Sequence, residues 1–382
     1  MRQETDGRTG EGNMKITCIS AYRVLLPLEE GAYRWSDSKA ITRYDSTIVR
    51  IDTDTGLTGW GEVCPLGPVY LPAYAAGART GIAEIAPALI GCDPRELDVI
   101  NAVMDATLKG HAYCKSPLDI ACWDILGKHS GVPLCTLLGG RFGSDFAVYR
   151  SISQESAEVM ASRVVDHQKD GFRHFQLKVG GVADEDIERI RAVAALMQPG
   201  GRLICDANTG WLTADALRLC RAVADLDVYI EQPCLSYEEC LTVRQHTGLP
   251  FILDESIHDV ASLLRAHGDR AMDVVNLKIG KVGGLTKARQ IRDLCVSLGL
   301  GLTIEDMPGA DITGATILHL AHSTPEKHRF SVTSSYLKVT EKIAAGGPVV
   351  VGGRTQANDG PGLGVVPIME RLGEPVFVVG GR

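Results

Sequence analysis

"VYIEQP", residues 228–233, runs through apolar positions and then stops on a carboxylate, Glu231, followed by an amide and a proline. One acid at the end of a strand-like segment means little, but here the event recurs. AVYRSIS (147–153), HFQLKVG (174–180), RLICDAN (202–208), PFILDES (250–256), VVNLKIG (274–280), GLTIEDM (301–307) and FSVTSS (330–335) have the same texture. Helix-like stretches such as DEDIERIRAVAALM, TADALRLCRAVADL and LTKARQIRDLCVSLG lie between them. Eight strands with intervening helices predict a parallel α/β barrel. A doubly wound open sheet is the structural alternative, but no GxGxxG follows an early strand to support it.

Charged residues close five successive runs: Lys178, Asp206, Glu231, Asp254 and Lys278, at steps of 28, 25, 23 and 24 residues. Each step is about one βα unit. In a barrel the C-terminal strand ends converge on one mouth, so these side chains point into one cup. Three crowded carboxylates raise one another's pKa unless a cation joins them. A hard divalent ion with oxygen ligands resolves this, and two or three carboxylates suit Mg²⁺. The two lysines come from strands on either side of the acids and could flank a bound molecule from opposite faces. Any one of these charges alone reads equally well as a solvated strand end or an ion-pair partner. The ordered series K–D–E–D–K does not. Glu255 is the competing ligand beside Asp254, and alternation along a strand should send only one of them into the cup. Lys281 and Lys287 read as helix-start or surface lysines.

The chain has 382 residues, 45% of them hydrophobic, which allows a large core. Its net charge of −8 disfavours nucleic acid and anionic membranes as partners. Residues 14–63 alternate like antiparallel strands, with a turn signal at 54–56, and 74–137 read as helices. This gives an α+β capping domain over 14–140, a barrel over 141–345, and a Gly- and Pro-rich segment, 346–382, returning to the cap. The opening MRQETDGRTGEGN, residues 1–13, is polar and reads as a disordered extension rather than a secretory signal. No apolar run approaches the roughly 20 residues that span a bilayer. The 11 cysteines are scattered singly, as reduced thiols of a cytoplasmic protein are.

The segments GWGEVCPLGP, LDIACWDILGKHSGVPL, QLKVG, DANTGW, EQP, LDES and NLKIGKVGGLTKA together resemble the enolase superfamily, in its mandelate racemase/muconate lactonizing branch. The likeness runs from about Met14 over nearly the whole chain. It implies a (β/α)7β TIM-type barrel under an α+β cap and one Mg²⁺ on Asp206, Glu231 and Asp254. It also implies abstraction of a proton α to a carboxylate, with Lys178 and Lys278 as the acid/base pair. The branch usually shows K-x-K where this chain has Gln176-Leu177-Lys178, so the second lysine is the one retained.

Within the branch, YRWSDSKAITRYDSTIV, CPLGPVYLPAYAAG and DVYIEQPCLSYEECLTVR are similar to cis-3-hydroxy-L-proline dehydratases. The expected reaction is dehydration of that amino acid to Δ1-pyrroline-2-carboxylate, by a homo-oligomer acting on a small-molecule amino-acid substrate. Two alternatives remain. One is 2-epimerisation or racemisation of proline derivatives such as hydroxyproline betaine. The other is a catalytically idle scaffold or binding protein. Substrate contacts are expected from Tyr33, Trp35, Tyr70, Asn208 and Asp306, while Asp311 reads as a helix N-cap. Relatives often carry Trp-Gly-Gly where this chain has Met307-Pro308-Gly309. The missing aromatic weakens the betaine alternative, because a quaternary ammonium favours a ring face.

Overall fold

The computed structural model describes residues 13–381. The extension expected over residues 1–13 lies, but for Asn13, outside the described residues.

The first layer is an antiparallel sheet of β1 (Ile16–Pro27), β2 (Arg43–Thr53) and β3 (Thr58–Val63), with the C-terminal strand Phe377–Gly380 on the outer edge of β1. The turn between β2 and β3 falls at Gly56, whose φ of 81° suits glycine. Three helices follow, Ala75–Leu89, Leu97–Thr107 and Ala112–Ser130, the last ending on Gly131 in a left-handed conformation. This third helix lies directly on β3. A Cβ at Gly59 or Gly61 would collide with the carbonyls of Ala121 and Pro117, so the TGWG sequence is what lets helix and strand approach. A small hairpin, Tyr33–Trp35 with Lys39–Ile41, leaves the sheet after β1. Its backbone reaches the barrel, where Asp37 N–H donates to the Gly180 carbonyl.

The barrel strands are β4 (Tyr149–Ile152), β5 (His174–Lys178), β6 (Arg202–Asp206), β7 (Tyr229–Glu231), β8 (Phe251–Leu253), β9 (Val274–Lys278), β10 (Gly301–Glu305) and β11 (Arg329–Val332). Each pairs in parallel with its neighbour in chain order, and a parallel bridge from Tyr149 to Thr333 closes the ring. Helical crossovers join the first seven strands to their successors. Seven of the eight runs read from the sequence contain one barrel strand, the eighth overlaps the strand Arg329–Val332, and the architecture is the expected (β/α)7β barrel.

Alternation within the strands decides what faces inward. Phe175, Leu177, Leu203, Cys205, Ile230, Phe251, Leu253, Val275 and Leu277 join the large core that includes the surrounding helices. Ile204, Ile252 and Val274 form a separate small cluster inside the ring, with Tyr229 and Phe330 packed against it. That inward parity carries on to Lys178, Asp206, Glu231, Lys278 and Glu305 at the other end of the strands. The apolar cluster is the floor, and the charged residues are the mouth. The 11 cysteines are free thiols, ten of them buried. Among the described residues no helix is long and apolar enough to cross a membrane.

Candidate active site

The parallel register sets the charged residues side by side. Lys178 pairs with Asp206 and Asp206 with Glu231 across β5, β6 and β7, while Lys278 pairs with Glu305 across β9 and β10. All five are buried. Asp254 follows the last residue of β8, so the alternation rule does not separate it from Glu255. The side chain of Gln232 holds this turn: its oxygen accepts from Asp254 N–H (3.0 Å) and Ser256 N–H (3.3 Å), and its amide donates to Ser256 Oγ (2.7 Å). The left-handed φ of Gln232, 35°, is a strain held in place by that network. This is the structural role of the amide in the EQP segment.

Each carboxylate has defined partners. Asp206 accepts from Lys178 and, at 2.9 Å, from Asn208 N–H. Glu231 accepts from Gln176 (2.9 Å) and from Asn276, which also donates to Glu305 (3.0 Å). Asp254 accepts from Lys278, from Tyr70 OH (3.1 Å) and from Lys281 (2.7 Å). Lys278 also reaches Tyr70 and lies 3.0 Å from Glu305, whose second oxygen accepts from Tyr149 OH.

These contacts and burial pull in opposite directions. Burial, then the charges of Asp206 and Asp254, pushes Glu231 well above the usual carboxylate range. Burial also raises Asp206, against the pull of Lys178. Burial acts the same way on Asp254, but Lys278 and Lys281 outweigh it and hold that group low. Burial disfavours the ammonium forms of Lys178 and Lys278. The adjoining carboxylates win in both cases, Asp206 foremost at Lys178 and Asp254 at Lys278, and both amines stay cationic. Glu255 is pushed up to about 8 by burial and by Asp254.

The sequence-predicted contacts fall around one cavity of about 50 Å³, lined by Tyr33, Trp35, Tyr70, Asn208, Asp306, Lys178 and Lys278 among others. A water needs roughly 10–15 Å³ on this measure, so the space suits a handful of waters or a small amino acid. Tyr33 OH lies 3.3 Å from Ser151 Oγ, and its ring stacks on Trp35 at 5.8 Å. Asn208 donates to Glu255 at 3.2 Å. Asp306 accepts from Gly280 and Met307 N–H (both 2.7 Å), yet burial still raises it to about 7.

Three readings are corrected. Lys281 is not an ordinary surface lysine. The single helical turn Ile279–Val282 folds its side chain back onto Asp254, and only 5% of it is exposed. Glu255 does not turn clear of the cluster, because it sits beyond the strand where alternation applies. Asp311 is not the N-cap: Ala310 holds that position, and the Asp311 carboxylate accepts from Ile343 (2.7 Å) and Ala344 (3.1 Å) N–H, tying down the C-terminal segment. Lys287 does stay at the surface, 30% exposed and paired with Asp105. Glu305 went unread, although it lies 27 residues after Lys278 and extends the same series of strand ends. Tyr149, Asn276 and Lys338, which also belong to the site, carry no comparable sequence signal.

The donor set at Asp206, Glu231 and Asp254 is all carboxylate oxygen, which fits a hard divalent ion rather than a thiophilic one. Glu231 lies buried beside two further carboxylates, Asp206 and Asp254, and both act with burial to disfavour its charge. As placed, no three such side chains among the described residues converge on one point, because ammonium groups stand at Asp206 and Asp254.

Comparison with known proteins agrees with this geometry. Residues 38–139 match the mandelate racemase/muconate lactonizing enzyme N-terminal domain, and residues 159–371 match the enolase C-terminal domain-like family. A cis-3-hydroxy-L-proline dehydratase of Roseibium aggregatum is 53% identical over 95% of this chain and 99% of its own. An N-succinyl-L-Arg/Lys racemase of Bacillus cereus is 31% identical over 81% of this chain and 85% of its own. The crystal structure of an enolase superfamily member from Roseovarius nubinhibens, complexed with magnesium, superposes with a TM-score of 0.91 at 40% identity. It covers 96% of this chain and 100% of that one.

Proposed function

The chain belongs to the mandelate racemase/muconate lactonizing enzyme family of the enolase superfamily, and from that premise we propose that it dehydrates cis-3-hydroxy-L-proline to Δ1-pyrroline-2-carboxylate with the help of Mg²⁺. The observation that carries the proposal is the lysine pair. Lys178 and Lys278 both line one cavity, with Tyr33, Tyr70 and Asn208, in a chain 53% identical to a dehydratase of that substrate.

Asp206, Glu231 and Asp254 would hold the ion. Bound there, Mg²⁺ supplies Lewis-acid stabilisation of negative charge on the substrate carboxylate and draws carboxylate charge away from the two ammonium groups. A lysine relieved of its partner can then take the α-proton as a neutral amine. In cis-3-hydroxy-L-proline the α-hydrogen lies opposite the hydroxyl, so loss of water is an anti elimination. The lysine on one face removes the α-hydrogen, the Cα–Cβ double bond forms, and the C–O bond breaks. The lysine on the other face delivers a proton to the departing hydroxide, giving water. The enamine tautomerises to the cyclic imine once released. Glu305 is placed beside Lys278 to keep that group oriented through the exchange.

A second reading, 2-epimerisation of proline derivatives, draws on the same lysine pair and on the racemase relative. Incubation with a panel of proline derivatives in deuterium oxide, followed by NMR, separates the two. Loss of water from the cis-3-hydroxy acid supports dehydration. α-Deuteration with inversion and a retained hydroxyl overturns it.

A further inference from the structure

Lys338 lines the candidate cavity from the turn Ser335–Lys338 that follows β11. It is 9% exposed. Among the described residues no hydrogen bond or ion pair partners its ammonium. The nitrogen lies over an aromatic ring, 3.6 Å from the centre of Tyr33. Lys278 stands in the same way over Tyr70, at 4.9 Å. Two of the ring faces that border the cavity therefore already carry a cation. Around the barrel, the end of β11 is separated from the Asp206, Glu231 and Asp254 strands by β4 and β5 on one side and by β9 and β10 on the other. A substrate whose carboxylate is held at the acid trio therefore turns the rest of its ring toward Lys338.

The same cavity offers carboxylates to a substrate nitrogen, at Glu305 and Asp306. A secondary ammonium can hydrogen-bond to either. A quaternary ammonium cannot donate and depends on ring faces instead. We propose that Lys338 is a specificity-determining residue: its side-chain nitrogen, seated on the Tyr33 ring, admits amino acids whose nitrogen can hydrogen-bond to a carboxylate and turns away those whose nitrogen is quaternary and needs that ring face. Burial, then the nearby charges of Arg150 and Lys178, lowers the pKa of this group well below the usual lysine value, with Glu30 pulling the other way; charged or neutral, the nitrogen covers the Tyr33 face that a quaternary ammonium needs. This inference rests on the reading that the cavity takes a proline-like amino acid.

The test uses two ligands that cannot lose water, L-proline and its N,N-dimethyl betaine. Their binding to the full-length protein is measured by calorimetry at saturating Mg²⁺. The wild type should favour L-proline. Lys338→Met removes the nitrogen and frees the ring, and should shift the ratio of the two dissociation constants toward the betaine by about tenfold. Lys338→Arg, which keeps a cation over the ring, should hold the ratio near the wild-type value. Lys338→Gln stands in if the Met variant fails to fold. A ratio unchanged in the neutral variants, or a wild type that binds neither ligand, overturns the proposal. If the ratio shifts as expected but the wild type does not dehydrate cis-3-hydroxy-L-proline, Lys338 stands and the dehydratase reading falls. If dehydration occurs and the ratio does not shift, only the role of Lys338 falls.

Discussion

Gln176 occupies the position where the branch usually has the first lysine of K-x-K, and its amide donates to Glu231 at 2.9 Å. Replacing it by Met keeps the length of the side chain and removes the donor. Glu231 is fully buried between like charges, and among the described residues only Gln176 and Asn276 donate side-chain hydrogen bonds to it. A hydrogen bond to a charged group contributes roughly 1.5–3 kcal/mol, and loss of a partner behind a metal ligand typically weakens metal binding by about 10- to 100-fold. Gln176→Met is therefore expected to weaken Mg²⁺ binding by about one to two orders of magnitude. Asn276→Leu should act alike, and the double variant should bind more weakly than either. The assay is a calorimetric titration of Mg²⁺ into the intact, chelator-stripped protein, with melting curves confirming that each variant is folded. Dissociation constants within twofold of wild type for both single variants would refute the role given to the two amides.

His319 bridges backbone groups of two other segments, accepting from Cys135 N–H at 3.2 Å and facing the Leu363 carbonyl at 3.1 Å, and burial lowers its pKa to about 4. Below about pH 6.5 the unfolded chain takes up a proton that the folded one refuses. Stability should therefore fall as pH drops from 6.5 toward 4, by on the order of 3 kcal/mol. His319→Gln can keep both bonds without titrating, so denaturant titrations at pH 7 and pH 4.5 should show a smaller acid loss in the variant. An equal loss would remove His319 as the cause. Asp254→Asn should abolish most activity, because Asp254 takes Lys278, Lys281 and Tyr70 together, whereas Glu255→Gln should cost less. The reverse order in steady-state rates would exchange the two residues' roles. Lys178→Ala and Lys278→Ala should each abolish dehydration, and only the variant that keeps the base should still exchange the α-hydrogen with deuterium oxide. Equal exchange in both would mean that neither lysine alone is the base.

The barrel was legible because parallel strands are buried on both faces, so each reads as a short continuous apolar run rather than an alternating one. The strand-end charges were legible because a βα unit has a nearly fixed length. Glu305 obeys the same spacing, but the acidic pair Glu305-Asp306 hides which of the two closes the strand. Lys281 could not be read because its place depends on a single helical turn that reverses the side chain's direction. Asp311 misled because an acid at the start of a helix suits both a cap and a distant clamp. Only the tertiary position of residues 343 and 344 distinguishes the two. Lys338 was invisible for a plainer reason: a lysine in a loop carries no periodicity, and its burial against Tyr33 joins residues some three hundred positions apart.

The most direct test is to add cis-3-hydroxy-L-proline to the wild-type protein with Mg²⁺ in deuterium oxide and follow the solution by NMR. The substrate signals should disappear as Δ1-pyrroline-2-carboxylate grows in, with deuterium entering at C3 when the released enamine tautomerises. A substrate that stays intact, or one that is inverted at Cα with its hydroxyl retained, would contradict the dehydratase assignment.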